Sequence, residues 1–193
     1  YTMAVYMLSI PGGFIADRIL GARRAVLWGG CTIAAGHYAL AVPSVATFYL
    51  GLVLIALGTG LFKPNISALV GALYARDDER RDAGFSIFYM GINLGALLAP
   101  LVAGTIGEAW NWRGGFFVAG LAMLIGVAQY KLTEKYLGNA GAPPQGVSET
   151  ERRGGWRMVW IGCAVVIVAA ALLFSGVIPV TITGLAQVFG YGM

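Results

Sequence analysis

The sequence predicts an all-α integral membrane protein, and three observations carry that prediction. Of its 193 residues, 58% are hydrophobic and 11% are charged, against about 25% charged in soluble domains. The mean hydropathy is +0.75, and glycine, commoner in membrane helices than in soluble ones, occurs 29 times. The apolar residues fall into long runs, on the scale of the roughly 20 residues a helix needs to cross a ~30 Å hydrocarbon layer. This composition excludes a disordered chain, a disulfide-stapled secreted scaffold and an ordinary cytosolic enzyme.

The first run, 1–16, is apolar from Tyr1 and has no basic n-region or cleavage site. It reads as a membrane helix entered partway, not as a signal peptide. The second run covers 25–42, and the third, 47–74, is long and interrupted by Gly58, Gly60 and Pro64. The fourth covers 84–107 and the fifth 114–133. A polar stretch, 134–155, with Gly138, Gly141, Pro143, Pro144 and Gly146, marks a linker. A sixth run spans 156–177, and a seventh starts near Pro179. The whole reads as an internal piece of a longer protein.

The net charge of +4 says less than its placement. Arg18, Arg23 and Arg24 follow the first run, and no basic residue lies between the second and third. Arg76, Arg80 and Arg81 come next, then Arg113 alone, then Lys131, Lys135, Arg152, Arg153 and Arg157 around the linker. Alternate connections thus carry eleven Lys and Arg against one. This is the positive-inside pattern, which puts the Arg-rich loops in the cytoplasm. No polar domain presents a basic, aromatic-interleaved face, so no nucleic-acid partner is expected. Cys31 and Cys163 each sit inside an apolar run without metal-site or disulfide-framework spacing, and read as packing residues. No cofactor or metal is expected.

The remaining basic residue, Lys63, lies inside the third run. An ionised lysine there costs about 2.5–3.5 kcal/mol on insertion scales. Asp17, Asp77, Asp78, Glu79, Asp82, Glu108, Glu134, Glu149 and Glu151 all fall in loops or at their borders. The ammonium therefore snorkels to an interface, faces a wet cavity, or pairs with a segment outside this sequence. Pro64 withdraws the N–H that the Gly60 carbonyl needs and, with Gly58 and Gly60, predicts a kink beside the lysine. Freed backbone groups at membrane depth must be met by protein or by a water-lined cavity. Discontinuous helices with a midplane charge are how transporters build substrate sites; a proline-kinked packing helix is the plainer alternative. In the fourth run Tyr89, Asn93, Ala96 and Pro100 share one small, polar helical face, suited to a cavity or to interhelical glue. Gly91 and Gly95 form a small-xxx-small pair, which lets helix backbones approach. His37 reads as an interfacial residue near the external end of its helix. The charge cluster at 76–82 holds no nucleophile, so no enzyme is expected.

Three motifs carry a family resemblance. Residues 12–24 read GGFIADRILGARR, similar to the loop signature of the major facilitator superfamily between its second and third helices. Gly12 and Gly13 let two helices cross closely, and Asp17 can meet a helix N-terminus or an arginine; Arg18, Gly21 and Arg24 complete the pattern. GTGLFKPNISALVG and FSIFYMGINLGALLAP resemble the proton-dependent oligopeptide transporter family. The likeness runs from Tyr6 to Pro100, and more loosely to about residue 135.

The resemblance implies the N-terminal bundle of a major facilitator transporter. Residues 1–135 would be helices two to six, with helix one missing; 136–155 would be a cytoplasmic linker. Residues 156–193 would be part of a transmembrane hairpin inserted between the two halves, since they depart from the family's seventh helix. It further implies a multi-pass symporter of the bacterial inner membrane, carrying di- and tripeptides with protons and completed by N- and C-terminal parts absent from this sequence. By the same resemblance Lys63 binds the peptide carboxylate and joins proton coupling through a glutamate on helix one. Asn93 contacts peptide backbone, Ile92 lines a side-chain pocket, and Tyr6 hydrogen-bonds substrate. Two rivals stand beside this reading: a major facilitator transporter of another small solute, such as nitrate or a drug, and a non-transporting membrane scaffold.

Overall fold

The computed structural model describes residues 2–75 and 77–142, together with 153, 154 and 157. The chain divides into two compact units, Tyr1–Arg152 and Arg153–Met193, and the architecture below belongs to the first. Apart from Arg157, the expected runs at 156–177 and from 179 onward lie outside the described residues, as does Cys163.

Helix α1 covers Thr2–Ile15 and passes into a π turn, Ala16–Leu20. Gly21 then reverses the chain at φ 78°, a left-handed conformation that costs other residues about 1–2 kcal/mol. Helix α2 is Ala22–Ala41 and α3 is Val45–Ala72. Helix α4 is Arg80–Ala109 and widens into a π turn at Pro100–Gly104, where the proline lacks a backbone donor. Helix α5, Trp112–Thr133, is capped by Asn111, whose side chain accepts from the Arg113 N–H. A 3-10 turn, Glu134–Leu137, ends it. Each of the first five expected runs is a helix. Three of them, α3, α4 and the stretch Trp112–Leu137, are both long and apolar enough to cross a membrane. The described part of α1 is 14 residues long, and the 20 residues of α2 include Arg23, Arg24 and His37.

Backbone-to-backbone contact at glycines organises the bundle. A Cβ added to Gly29 would lie 2.9 Å from the Gly58 carbonyl oxygen, and one on Gly36 would lie 2.9 Å from that of Gly51. The numbering rises on α2 as it falls on α3, so the two helices are antiparallel. On its other flank α3 meets α1, where Gly60 packs on Leu8 and Gly12. Helix α5 packs on α2 through Gly120 against His37 and Tyr38, and through Val127 against Gly30. Small residues on facing helices permit this approach.

The pair Gly91 and Gly95 has no close neighbour among the described residues. A Cβ at either position meets nothing within 4 Å, so no close helix lies there among the described residues. The segment Arg80–Ala99 buries none of its residues against the other described ones.

Candidate functional site

Lys63 lies about 27 Å along α3 from Val45 and about 14 Å short of Ala72. Helical side chains slant toward the N-terminus of their helix. The lysine accordingly reaches back, and its Nζ sits 4.3 Å from the ring centroid of Tyr6 on α1, within cation–π range. Tyr6 is itself about 14 Å from Ile15, the arginine-rich end of α1. The ammonium thus points away from the nearer end of its helix, which is not the direction snorkelling would take. Lys63 is exposed, and Tyr6 is 60% exposed. Among the described residues the ion pairs are Arg80–Asp78 and Lys131–Glu134, and Lys63 belongs to neither.

The helix crossing next to this pair is unusually close. Pro64 has no N–H to give the Gly60 carbonyl. Helix α3 runs through Pro64 as one element. The freed carbonyl is covered by α1: a Cβ on Gly12 would stand 2.1 Å from the Gly60 oxygen, so only a glycine backbone can lie there. Asn65, 2% exposed, donates from Nδ2 to the Leu61 carbonyl at 2.6 Å and to the Gly12 carbonyl at 3.3 Å. The sequence reading passed over Asn65. Its signal was a lone amide in an apolar span, a group too costly to bury without a partner.

Helix α4 supplies the other two expected residues at a separate place. Asn93 donates from Nδ2 to the Tyr89 carbonyl at 2.9 Å, and Ile92 is 49% exposed. Tyr89 stacks against Phe85 with centroids 6.4 Å apart. Among the described residues no hydrogen bond or aromatic contact joins Asn93 or Ile92 to Lys63 or Tyr6.

The loop motif splits into parts with different partners. Gly13 faces the Pro64 side chain, its added Cβ 4.0 Å away. Asp17 is exposed; α2 has no side-chain N-cap, and among the described residues Asp17 joins no ion pair. Among the described residues Asp17 therefore pairs with no arginine and caps no helix N-terminus. Arg18 lies over the Phe14 ring at 5.9 Å, and Arg24 is exposed. Arg23, read from the sequence only as a topology charge, is the best connected. Its Nε donates to the Ala140 carbonyl at 2.5 Å and its Nη2 to the Gly138 carbonyl. Its own N–H donates to the Gly141 carbonyl at 3.0 Å, and its carbonyl accepts from the Tyr130 hydroxyl at 3.3 Å. Gly138 and Gly141 take φ of 55° and 65°, so a glycine-built turn after α5 is clasped to the start of α2.

Residues 23–149 match the model of the POT family. The chain is 49% identical over 178 residues to the uncharacterized transporter YclF of Bacillus subtilis (strain 168), covering 91% of this chain and 35% of that protein. It is 49% identical over 131 residues to a di-/tripeptide transporter of Lactococcus lactis subsp. lactis (strain IL1403), covering 67% of this chain and 26% of that one. Among solved structures it is similar to a mutant of the peptide transporter POT in complex with alafosfalin, with a TM-score of 0.78 and 48% identity over 87% of this chain and 35% of that one. The chain thus spans about a quarter to a third of the length of these relatives. Helices of membrane length, glycine-lined crossings and a family match from Arg23 onward agree, and the chain belongs to the POT family.

Proposed function

We propose that the whole protein is a secondary active transporter of the bacterial inner membrane, carrying di- and tripeptides into the cytoplasm with protons by alternating access. The observation that carries this reading is the Lys63 ammonium, lodged over Tyr6 well inside the span. A peptide is a zwitterion, and its carboxylate suits a charge-assisted bond to the exposed Lys63 ammonium. The Tyr6 hydroxyl can donate to the same end of the substrate. On α4, Asn93 uses one N–H on its own helix, which leaves a second N–H and the amide oxygen for a peptide backbone. Ile92 offers an apolar wall to a substrate side chain.

Proton coupling follows from competition. A carboxylate on a segment outside this chain would pair with Lys63 when ionised and release it when protonated. The freed lysine takes the substrate carboxylate, and differential affinity for the two states drives the rocking of the halves. Helix α1 then corresponds to the second helix of the family bundle and α5 to the sixth. The arginine-rich ends of α1 and α2 face the cytoplasm.

The test is proton-driven uptake of a labelled dipeptide by the full-length protein in proteoliposomes. Lys63→Ala should reduce uptake to the level of empty vesicles, and uptake at the wild-type level would overturn the assignment. Competition by tripeptides but not by nitrate separates peptide transport from transport of another solute.

A further inference from the structure

We infer that Asn65 is a positioning residue of the substrate site, holding α1 against α3 so that Tyr6 stays on Lys63. The inference rests on the proposed reading of Lys63 and Tyr6 as substrate-binding residues, and goes beyond it to what fixes their distance. Among the described residues, the Asn65 amide makes the one hydrogen bond between α1 and α3. The contact around it is smooth. Gly12 meets Gly60, Gly13 faces Pro64, and Gly60 meets Leu8. Two glycine backbones in contact have no interlocking side chains to resist sliding, so a directional bond is what sets their register.

Asn65 suits the task on three grounds. It is 2% exposed, so water does not compete for its donor. Its bond to the Leu61 carbonyl at 2.6 Å fixes the side chain against its own helix, and the second N–H then points across to Gly12. It also sits two residues beyond Lys63 on the same rigid helix, while Gly12 is about 9 Å down α1 from Tyr6. A shift of α1 by 1 Å at Gly12 is therefore carried to the Tyr6 ring almost undiminished, and Lys63 has no carboxylate among the described residues to hold it instead. Asn65 touches neither member of the pair and acts only through helix placement.

The experiment measures dialanine affinity by calorimetry on the full-length protein in detergent. Asn65→Leu, which keeps the volume and removes the donor, should weaken binding about five- to tenfold, the loss expected for one buried hydrogen bond. In a Tyr6→Ala background the same substitution should weaken binding no further, because the residue it positions is gone. Wild-type affinity in Asn65→Leu, or equal weakening in both backgrounds, would overturn the inference. If Asn65→Leu does not fold, Asn65→Ser replaces it: a serine hydroxyl bonds the carbonyl four residues back but cannot span to Gly12, and the same two outcomes apply. Lys63→Ala run alongside separates the two claims. Loss of binding there with unchanged Asn65 variants removes the positioning role alone; wild-type binding in Lys63→Ala removes the site and this inference with it.

Discussion

The closest approach in the bundle gives the sharpest expectation for stability. In Gly12→Ala the new methyl would stand 2.1 Å from the Gly60 oxygen and 2.6 Å from its carbonyl carbon. Both are main-chain atoms of a continuous helix and cannot swing aside. Reaching ordinary contact needs α1 and α3 to part by about 1 Å. That movement costs about 1–3 kcal/mol as overpacking. It also takes the 3.3 Å bond from Asn65 to Gly12 past hydrogen-bond reach, for about 1 kcal/mol more. The total is about 2–4 kcal/mol. Gly60→Ala should behave alike, since its Cβ would lie 2.8 Å from the Leu8 carbonyl oxygen. The control is Gly126→Ala, where a Cβ meets nothing within 4 Å and a helical alanine gains about 0.5–1 kcal/mol over glycine. Thermal unfolding of the full-length protein in detergent is the assay. Gly12→Ala should lower the midpoint by several degrees while Gly126→Ala leaves it unchanged or raises it. A midpoint for Gly12→Ala equal to that of the wild type would refute the account of the crossing.

Two further outcomes follow from the polar ends. Arg23→Ala removes both guanidinium bonds to the turn at 138–141; each such bond to a charged group is worth about 1.5–3 kcal/mol, so amide exchange across that turn should quicken at least about tenfold. Arg23→Lys should fail to restore it, because an ammonium lacks the two-pronged fork; unchanged exchange in Arg23→Ala would exclude the clasp. Asp78 accepts hydrogen bonds from the Arg80 side chain and N–H, which hold its carboxyl below the ordinary value of 3.8. The small stabilisation from this depressed carboxyl is present above the ordinary value and is lost as pH falls through the lowered one. Carboxyl carbon titration by NMR should show Asp78 returning toward 3.8 in Arg80→Gln, and an unmoved titration would show that the pairing is absent in solution.

Much of the helical framework was legible because hydropathy marks what water cannot tolerate. It marks the apolar portion, not the helix end. Helix α4 begins at Arg80, before the expected 84, since Arg80, Arg81 and Asp82 continue the helix into polar surroundings. Lys63 stood out by its cost alone. Asn65 did not, because its partner is a carbonyl 53 positions away, and carbonyls leave no trace in sequence. The same holds for Arg23, whose acceptors are main-chain oxygens after α5; counting charges gives an expected side of the membrane and nothing of its bonds. Glycine spacing is likewise silent about the partner. Gly91 and Gly95 have the spacing of a contact face, yet among the described residues the close approaches include Gly12, Gly29, Gly36, Gly51, Gly58 and Gly60 and neither of these two. Spacing shows that a helix can be approached, and the partner decides whether it is.

Pro64 and Lys63 are adjacent, and the geometry ties their costs together. A carbonyl left without its helix bond in a hydrocarbon setting costs several kcal/mol unless a donor meets it. Water admitted at a kink is one answer; here the Gly12 Cα–H lies against the carbonyl oxygen, a weak donor in place of the missing N–H. To give that cover α1 must lie in van der Waals contact with α3, a distance that only a residue without a side chain at position 12 allows. The same closeness puts the Tyr6 ring 4.3 Å from the Lys63 ammonium. A helix pair held further apart would leave both the carbonyl and the cation bare. The proline beside the lysine therefore acts less as a break in α3 than as a demand for a close neighbour, and the neighbour that meets the demand carries the tyrosine.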